Sequence, residues 1–267
     1  MAKTNEVYLL QERLRKWKQY VLLGEHPLIS KHLPETKLYT TENLSDLLER
    51  YEYVYLKNNR GGRGKGIYKV IKSNDGLYCF NGYPLSGKKI KKCVGNIEDF
   101  HPVLHPMDRF GGYIVQEGIQ SFTPDGHPLA IRVHVQTLNG KWLVGGMYGM
   151  IAMVNTMKNG VINRMRGAHV MTIDELLSVH LKLDETVKNE IINSLEKISI
   201  LAAEVVSSEF SDIEFGVDFG ISQSGNPIIF EINTSPAVGL FSKIENGEMG
   251  KRIKSIRKRH KKNQIDS

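Results

Sequence analysis

The apolar and polar positions change period several times along the chain. Over residues 5–23, Val7, Leu10, Leu14, Trp17 and Val21 recur at helical spacing and Pro27 closes the pattern, which predicts a helix leading into a loop. Thr41 is placed to cap a second, short helix through Tyr51, with Leu44, Leu47 and Leu48 on its buried face. The period then shortens to that of strands, over Tyr53–Lys57, Gly66–Lys72 and Leu77–Phe80. The last two are joined at Asn74-Asp75-Gly76, and together they predict a small β-rich lobe. Asn139-Gly140 marks a turn between strands over Leu129–Leu138 and Trp142–Met153, and Ser224-Gly225 joins Gly216–Ile221 to Pro227–Ile232. These hairpins predict a second lobe. Between them Thr172 and Glu175 have capping-box spacing, and Val187, Ile191, Leu195, Ile198, Leu201 and Val205 predict a long helix over 185–207. Mixed antiparallel sheet and helix make the expected fold class α+β.

With 40% hydrophobic residues among 267, the chain has enough apolar material for one sizeable core or for two lobes that share a cleft. No stretch approaches the roughly 18 apolar residues of a membrane helix. Glu6, Glu12 and Arg13 interrupt the N-terminal segment, so no signal peptide is expected and the protein reads as soluble and cytoplasmic. Cys79 and Cys93 lack metal-ligand spacing and fit a reducing compartment in which neither has to be bonded, a disulfide or redox role being the lesser reading. The net charge of +7 is concentrated: residues 251–262 carry eight lysines and arginines and no acid, which leaves 28 bases against 29 acids elsewhere. Such a run engages an acidic protein, a nucleic acid or an anionic lipid, or is a solvated helix end or tail.

Three segments carry candidate chemistry. In the first, a strand ends in Lys57 and runs into Gly61, Gly62, Gly64 and Gly66, with Lys65 among them. Glycines let backbone amides approach phosphate oxygens, and a lysine at a strand end supplies a point charge. The alternative is a mobile turn without a ligand. It is not a Walker loop, because neither Ser nor Thr follows Lys65. In the second, Glu214-Phe215-Gly216-Val217-Asp218-Phe219 is followed after a turn by Ile229-Phe230-Glu231-Ile232-Asn233. Strand alternation puts Glu231 and Asn233 on one face, and Asp218 approaches them across the hairpin. Oxygen donors converging in an otherwise apolar sheet suit Mg²⁺ or Mn²⁺ held jointly with phosphates, whereas a solvent-facing polar stripe would need no metal. In the third, Tyr113-Ile114-Val115-Gln116-Glu117-Gly118-Ile119 is an apolar strand ending in polar residues between the lobes. It is either a hinge whose backbone reads a nucleobase edge or a plain core strand.

Taken in order, the lysine with its glycine loop, the hinge strand and the Asp followed by Glu-x-Asn resemble the ATP-grasp superfamily over most of the chain. The closer resemblance is to the YheC/YheD type, associated with bacterial endospore coats. It rests on Leu33-Pro34-Glu35-Thr36, Tyr55-Leu56-Lys57, Gln116-Glu117-Gly118-Ile119, Ile131-Arg132-Val133 and Phe215-Gly216-Val217-Asp218. The resemblance implies two α+β lobes enclosing Mg-ATP, without most of the usual N-terminal domain, since only about thirty residues precede Leu33. The implied division is an N-terminal helical segment over 1–34, a small lobe over 35–115, a large lobe over 116–245 and a basic tail over 246–267.

The same resemblance assigns Lys57 and Lys16 to phosphates, with Gly61, Gly62, Gly64 and Lys65 as the covering loop. Gln116, Glu117 and the backbone through Ile119 are implied for adenine, Asp125 for the ribose, and Arg132 for the transferred phosphate. Asn163 is a further cofactor candidate, and Asp218, Glu231 and Asn233 are implied metal ligands. The implied activity joins a carboxylate to an amine or thiol through an acylphosphate, with a small molecule or peptide as acceptor and a partner or second copy completing the acceptor site. A nucleotide-binding assembly module without catalysis and an ATP-dependent kinase are the alternatives. Ala130 and Met150 stand where the related pattern has Asp and Arg, so the resemblance weakens at the acceptor pocket.

Overall fold

The computed structural model describes residues 15–62, 64–86, 88–104, 112–152, 162 and 167–265, the side chains of 261–265 excepted. Of the helix expected over 5–23, the described part is α1, Lys16–Gly24, and the rest lies outside the described residues. Pro27 does not close α1. It opens a separate turn, Pro27–Ser30, because its fixed φ suits a first helical position, and the His26 ring accepts the Leu28 N–H there. The second helix, α2 (Thr41–Arg50), is capped by Thr40 rather than Thr41, through a 3.1 Å bond from the Asn43 N–H to the Thr40 hydroxyl. The long helix α3, Glu185–Ser207, begins at Asp184, whose carboxylate accepts the Val187 N–H at 2.9 Å.

The first sheet holds β1 (Thr36–Leu38), β2 (Val54–Asn58), β3 (Ile67–Lys72), β4 (Tyr78–Tyr83), β5 (Ile90–Val94) and β6 (Tyr113–Glu117), in the order β1-β6-β2-β3-β4-β5. Leu44 and Leu47 of α2 pack with Leu56, Val70 and Phe80 on one face, and Phe100 stacks on Phe80. The second sheet holds β7 (Leu129–Leu138), β8 (Lys141–Ala152), β9 (Ala168–Thr172), β10 (Glu214–Ile221) and β11 (Pro227–Asn233), in the order β11-β10-β7-β8-β9. Every pair in both sheets is antiparallel. Asn139 and Gly140 turn β7 into β8 with φ of 52° and 74°, the left-handed pair that a tight hairpin needs.

Alternation gives the second sheet two different faces. Ile131, Val133 and Val135 of β7, with Phe215, Val217 and Phe219 of β10, turn to a core shared with Ile191, Leu195 and Val206 of α3 and Leu23 of α1. The opposite face carries Arg132, His134 and Gln136 of β7 and Glu214 and Asp218 of β10. That face carries the candidate residues Arg132 and Asp218.

One expectation is corrected. Cys79 and Cys93 are joined by a disulfide. Antiparallel pairing of β4 with β5 sets them directly opposite each other, a register that spacing alone does not reveal. The basic run is helical, as one of its readings had it. It belongs to helix α4, Glu248–Ile265, which buries Ile253 and Ile256 and covers the polar face of the second sheet beside Phe241, Tyr148 and Met150. Arg257 clamps Glu214 from this helix with bonds of 2.8 and 2.6 Å, so one of the basic residues is a structural tie.

Candidate active site

β10 and β11 set Asp218 directly opposite Glu231, with Val217 opposite Ile232 and Gly216 opposite Asn233. One step further the register slips, so that Phe219 opposes Ile229 and Phe230 is an extra residue. The bulge returns Ile229 to the apolar core with Phe219 while Glu231 stays on the polar face. It also brings the Phe230 ring under Lys57, 5.9 Å from the ammonium.

Asp218 is held from two sides. Arg132, its register partner on β7, grips both oxygens at 2.5 and 2.8 Å. The Asn233 amide donates to the same carboxylate at 3.0 Å, which turns its carbonyl oxygen away from Asp218. Arg132 lies across Gly216, where a Cβ would come within 2.6 Å of its guanidinium, so the glycine makes room for the grip. Burial pushes the Asp218 carboxyl upward, and Arg132 opposes that. Burial also lowers the Arg132 guanidinium, but the charge and hydrogen bonds of Asp218, with Tyr148 and Glu231 nearby, together outweigh it and leave Arg132 above its ordinary value.

Glu231 receives a different cation. The Lys16 ammonium at the start of α1 lies 2.9 Å from Glu231 and also donates to the Gly61 carbonyl at 2.5 Å. Lys57 approaches from β2 in the other sheet, hydrogen bonded to the Gln116 carbonyl oxygen. Burial lowers the Lys57 ammonium to about 8, with Lys16 adding repulsion and Glu231 and Asp218 opposing it. Lys16, Lys57, Gln116, Phe230 and Glu231 line one pocket between the sheets. Three cations, Lys16, Lys57 and Arg132, thus meet two carboxylates. Such a site has positive charge to spare for an anion.

The glycine loop is drawn tight at its ends. Asn58 donates to the Gly66 carbonyl at 2.7 Å, and the Gly61 N–H to the Asn58 carbonyl at 3.2 Å. A Cβ on Gly66, where φ is +67°, would lie 2.7 Å from that of Asn58. Gly62 has open space around it, and Lys65 is exposed. Gly64 has positive φ, 70°.

At the hinge, Gln116 donates to the Thr36 hydroxyl at 3.0 Å besides accepting from Lys57. Glu117 is turned to β1: its N–H donates to the Glu35 carbonyl at 2.8 Å, and its carboxylate accepts the Glu35 N–H at 3.0 Å. The Ile119 carbonyl accepts from the Tyr53 hydroxyl at 2.8 Å. Asp125 is exposed in the turn closed by Thr123 and His127, and it is not among the residues lining the pocket. Asn163 lies outside the described residues.

Among the described residues no group of three or more His, Cys, Asp or Glu is arranged to hold a metal. The candidate donor set is therefore two carboxylates and an amide, Asp218, Glu231 and Asn233. Hard oxygen donors of this kind fit Mg²⁺ that keeps waters and shares phosphates, rather than a metal caged by protein alone.

Two residues that sequence reasoning passed over help to build the site. Asn59 accepts the Lys16 N–H on its carbonyl at 3.2 Å and the Trp17 N–H on its side chain at 2.9 Å. Gln19, buried on α1, bonds both backbone groups of Ile232. The available signal was a glutamine three positions after Lys16, on the same helical face.

A family model described as YheC/D like ATP-grasp matches residues 7–262. The endospore coat-associated protein YheD of Bacillus subtilis (strain 168) is 26% identical over 234 residues, which is 85% of this chain and 49% of that protein. The chain thus spans about half the length of that relative. Among solved structures, the VanG D-Ala:D-Ser ligase from Enterococcus faecalis matches with a TM-score of 0.52 at 14% identity, over 89% of this chain and 56% of that one. The D-alanine-D-alanine ligase from Coxiella burnetii matches with a TM-score of 0.50 at 17% identity, over 94% and 58%. At such identities these likenesses show the ATP-grasp fold.

Proposed function

We propose, from the premise that this chain belongs to the YheC/D-like ATP-grasp family, that it is an Mg-ATP-dependent ligase joining a carboxylate to an amine or thiol. The observation that carries the reading is the meeting of Lys16 and Lys57 with Glu231 in one pocket between the two sheets, with Asp218, the register partner of Glu231, near enough to act on the Lys57 charge.

In this reading Lys57 and Lys16 neutralise ATP phosphates beneath the loop of Gly61, Gly62, Gly64 and Lys65. Gln116 and the backbone through Ile119 face the adenine. Glu117 takes part through its backbone, since its carboxylate is engaged by Glu35. Asp125 reaches the ribose only if its turn moves, because it lies at the surface. Asp218, Glu231 and Asn233 would hold Mg²⁺, which supplies charge neutralisation between the terminal phosphates. Holding it would require Glu231 to share its carboxylate with Lys16 no longer and Asp218 to loosen from Arg132. The two cations so released are placed for phosphate oxygens.

A substrate carboxylate oxygen then attacks the γ-phosphorus, the bond to the β-bridging oxygen breaks, and ADP leaves. Arg132 neutralises charge on the group in transit. Attack of an amine on the acylphosphate carbon forms the amide as phosphate departs, and the nitrogen loses its proton. The protein contributes position and charge rather than a covalent nucleophile. Closing the glycine loop would keep water from the acylphosphate.

A nucleotide-binding module without turnover is the second reading. It is favoured by the existing pairing of each carboxylate with a cation, Glu231 with Lys16 and Asp218 with Arg132. Association with a spore coat, as the Bacillus relative's name records for that protein, is part of the proposal for this chain.

Incubation with ATP, Mg²⁺ and panels of carboxylic acids and amines separates the readings. ADP, phosphate and a new amide are the expected products. A phosphorylated product without amide would replace ligase by kinase, and saturable ATP binding without turnover would leave the module. Absence of nucleotide binding would overturn all three.

A further inference from the structure

Strand β11 is an edge of its sheet, so it is paired by β10 on one side only. Its last residues, Glu231-Ile232-Asn233, carry two of the three candidate metal ligands. On the open side beside Ile232 stands the Gln19 side chain. The Gln19 amide donates to the Ile232 carbonyl at 2.8 Å and accepts the Ile232 N–H at 2.9 Å, as a neighbouring strand would. Gln19 is 6% exposed, and 213 positions separate it from Ile232. Further up the same edge, the His32 carbonyl accepts the Ile229 N–H at 2.8 Å and the His32 ring lies 2.8 Å from the Pro227 carbonyl. The Phe230 bulge lies between these two fastenings.

We propose that Gln19 is a positioning residue for the metal-binding end of β11: by pairing both backbone groups of Ile232 it fixes the directions in which Glu231 and Asn233 project. This rests on the reading of those two residues as metal ligands given above. A bulge loosens the strand next to it and breaks its regular pairing. Without a second fastening, the backbone of the three residues beyond Phe230 would be paired by β10 alone, with only the Lys16–Glu231 side-chain bond to steady it from α1. Ligand direction matters for Mg²⁺, which demands near-octahedral geometry. Groups that orient ligands without touching the metal typically alter metal affinity about 10–100-fold when removed.

Helix α1 does not depend on this amide for its own place. Leu23 is buried in the large core, and Asn59 holds the N–H groups of Lys16 and Trp17. Replacing Gln19 therefore acts on β11 more than on Lys16. The role is separable from phosphate binding.

The test uses the full chain and a non-hydrolysable ATP analogue, with affinity measured by calorimetry in EDTA and again in Mg²⁺, for the wild type, Gln19→Leu and Gln19→Glu. The wild type should bind more tightly with Mg²⁺. Gln19→Leu, similar in size but unable to bond Ile232, should lose about tenfold or more of that enhancement while its metal-free affinity stays close to wild type. Gln19→Glu keeps an acceptor for the Ile232 N–H and should fall between, which preserves the test if Gln19→Leu does not fold. Full Mg²⁺ enhancement in either variant, or equal losses with and without metal, would overturn the role of Gln19. A wild type whose affinity ignores Mg²⁺ would overturn the metal reading itself, and that result is visible before any variant is made.

Discussion

Lys16 and Glu231 stand 215 positions apart in the chain and 2.9 Å apart in the fold, and the same ammonium also holds the carbonyl of Gly61. One lysine thereby joins an N-terminal helix, the glycine loop and a candidate metal ligand. Lys16→Met should weaken nucleotide binding about tenfold, the value of one charge-assisted bond, and lower the stability of the nucleotide-free protein by about 1–2 kcal/mol. Calorimetric titration and urea denaturation read the two effects. Unchanged affinity would remove Lys16 from the phosphate site.

The Lys57 ammonium, lowered by burial from 10.5 to about 8, makes nucleotide affinity depend on pH. Below about 8 it is charged and ready for phosphate. Above that, binding has to take up a proton, so affinity should decline as pH rises past 8, and in Lys57→Met this decline should be absent. Stability has its own sign: between about 8 and 10.5 the unfolded chain binds more protons at this lysine than the folded one, so its unfavourable contribution fades as pH rises. Lys57→Met should therefore be more stable than wild type below pH 8, with the gap closing towards 10.5 in denaturation series.

Asp218→Asn removes the charge that faces Arg132 while keeping the shape. Mg-dependent turnover should fall at least about 100-fold, with the far-UV spectrum of the folded protein retained. Turnover within a few-fold of wild type would take Asp218 out of the metal set.

The Cys79–Cys93 disulfide closes a loop with a sequence separation of 14. A loop of that size contributes about 3 kcal/mol by restricting the unfolded chain. Reduction, or Cys93→Ser, should lower the denaturation midpoint accordingly, and thiol labelling before and after reduction checks that the bond is present. Labelling of both cysteines in the untreated folded protein would contradict the pairing.

Glu214 is held at about 2 against an ordinary 4.5: burial raises it, and the nearby His134 ring together with the two bonds from Arg257 more than offsets that. Because the folded value is depressed, this stabilisation is present above 4.5 and lost as pH falls towards 2. Arg257→Ala should cost about 1–3 kcal/mol at neutral pH and flatten the acid limb of the stability curve, as measured by denaturation at stepped pH.

Much of this fold is legible from period alone. The 185–207 helix shows itself in six apolar residues at helical spacing, and the two large hairpins in Asn139-Gly140 and Ser224-Gly225, because turn chemistry and alternation are local. Alternation also anticipates that Asp218 meets Glu231 and Asn233: the register sets Asp218 opposite Glu231, and the Asn233 amide reaches it from beside Gly216. What escapes is set by distant contacts. Nothing near Asp218 announces that Arg132 grips it, and nothing near Glu231 announces Lys16. The Phe230 bulge breaks the very alternation used to read the strand. In α4 the lysines and arginines mask two buried isoleucines, Ile253 and Ile256, by which the helix packs. The functional roles of these residues are carried by the experiments above.

The fastening of β11 by Gln19 and His32 has a further consequence, for solubility. Pro227–Asn233 is a mostly apolar segment at the rim of a sheet, the kind of strand that templates pairing with other chains when its outward N–H and C=O groups are free. The segment from Gln19 to His32 occupies those groups. Conditions that peel it away would expose a self-association edge and unseat Lys16 in one event. Loss of activity and onset of aggregation should therefore arrive together.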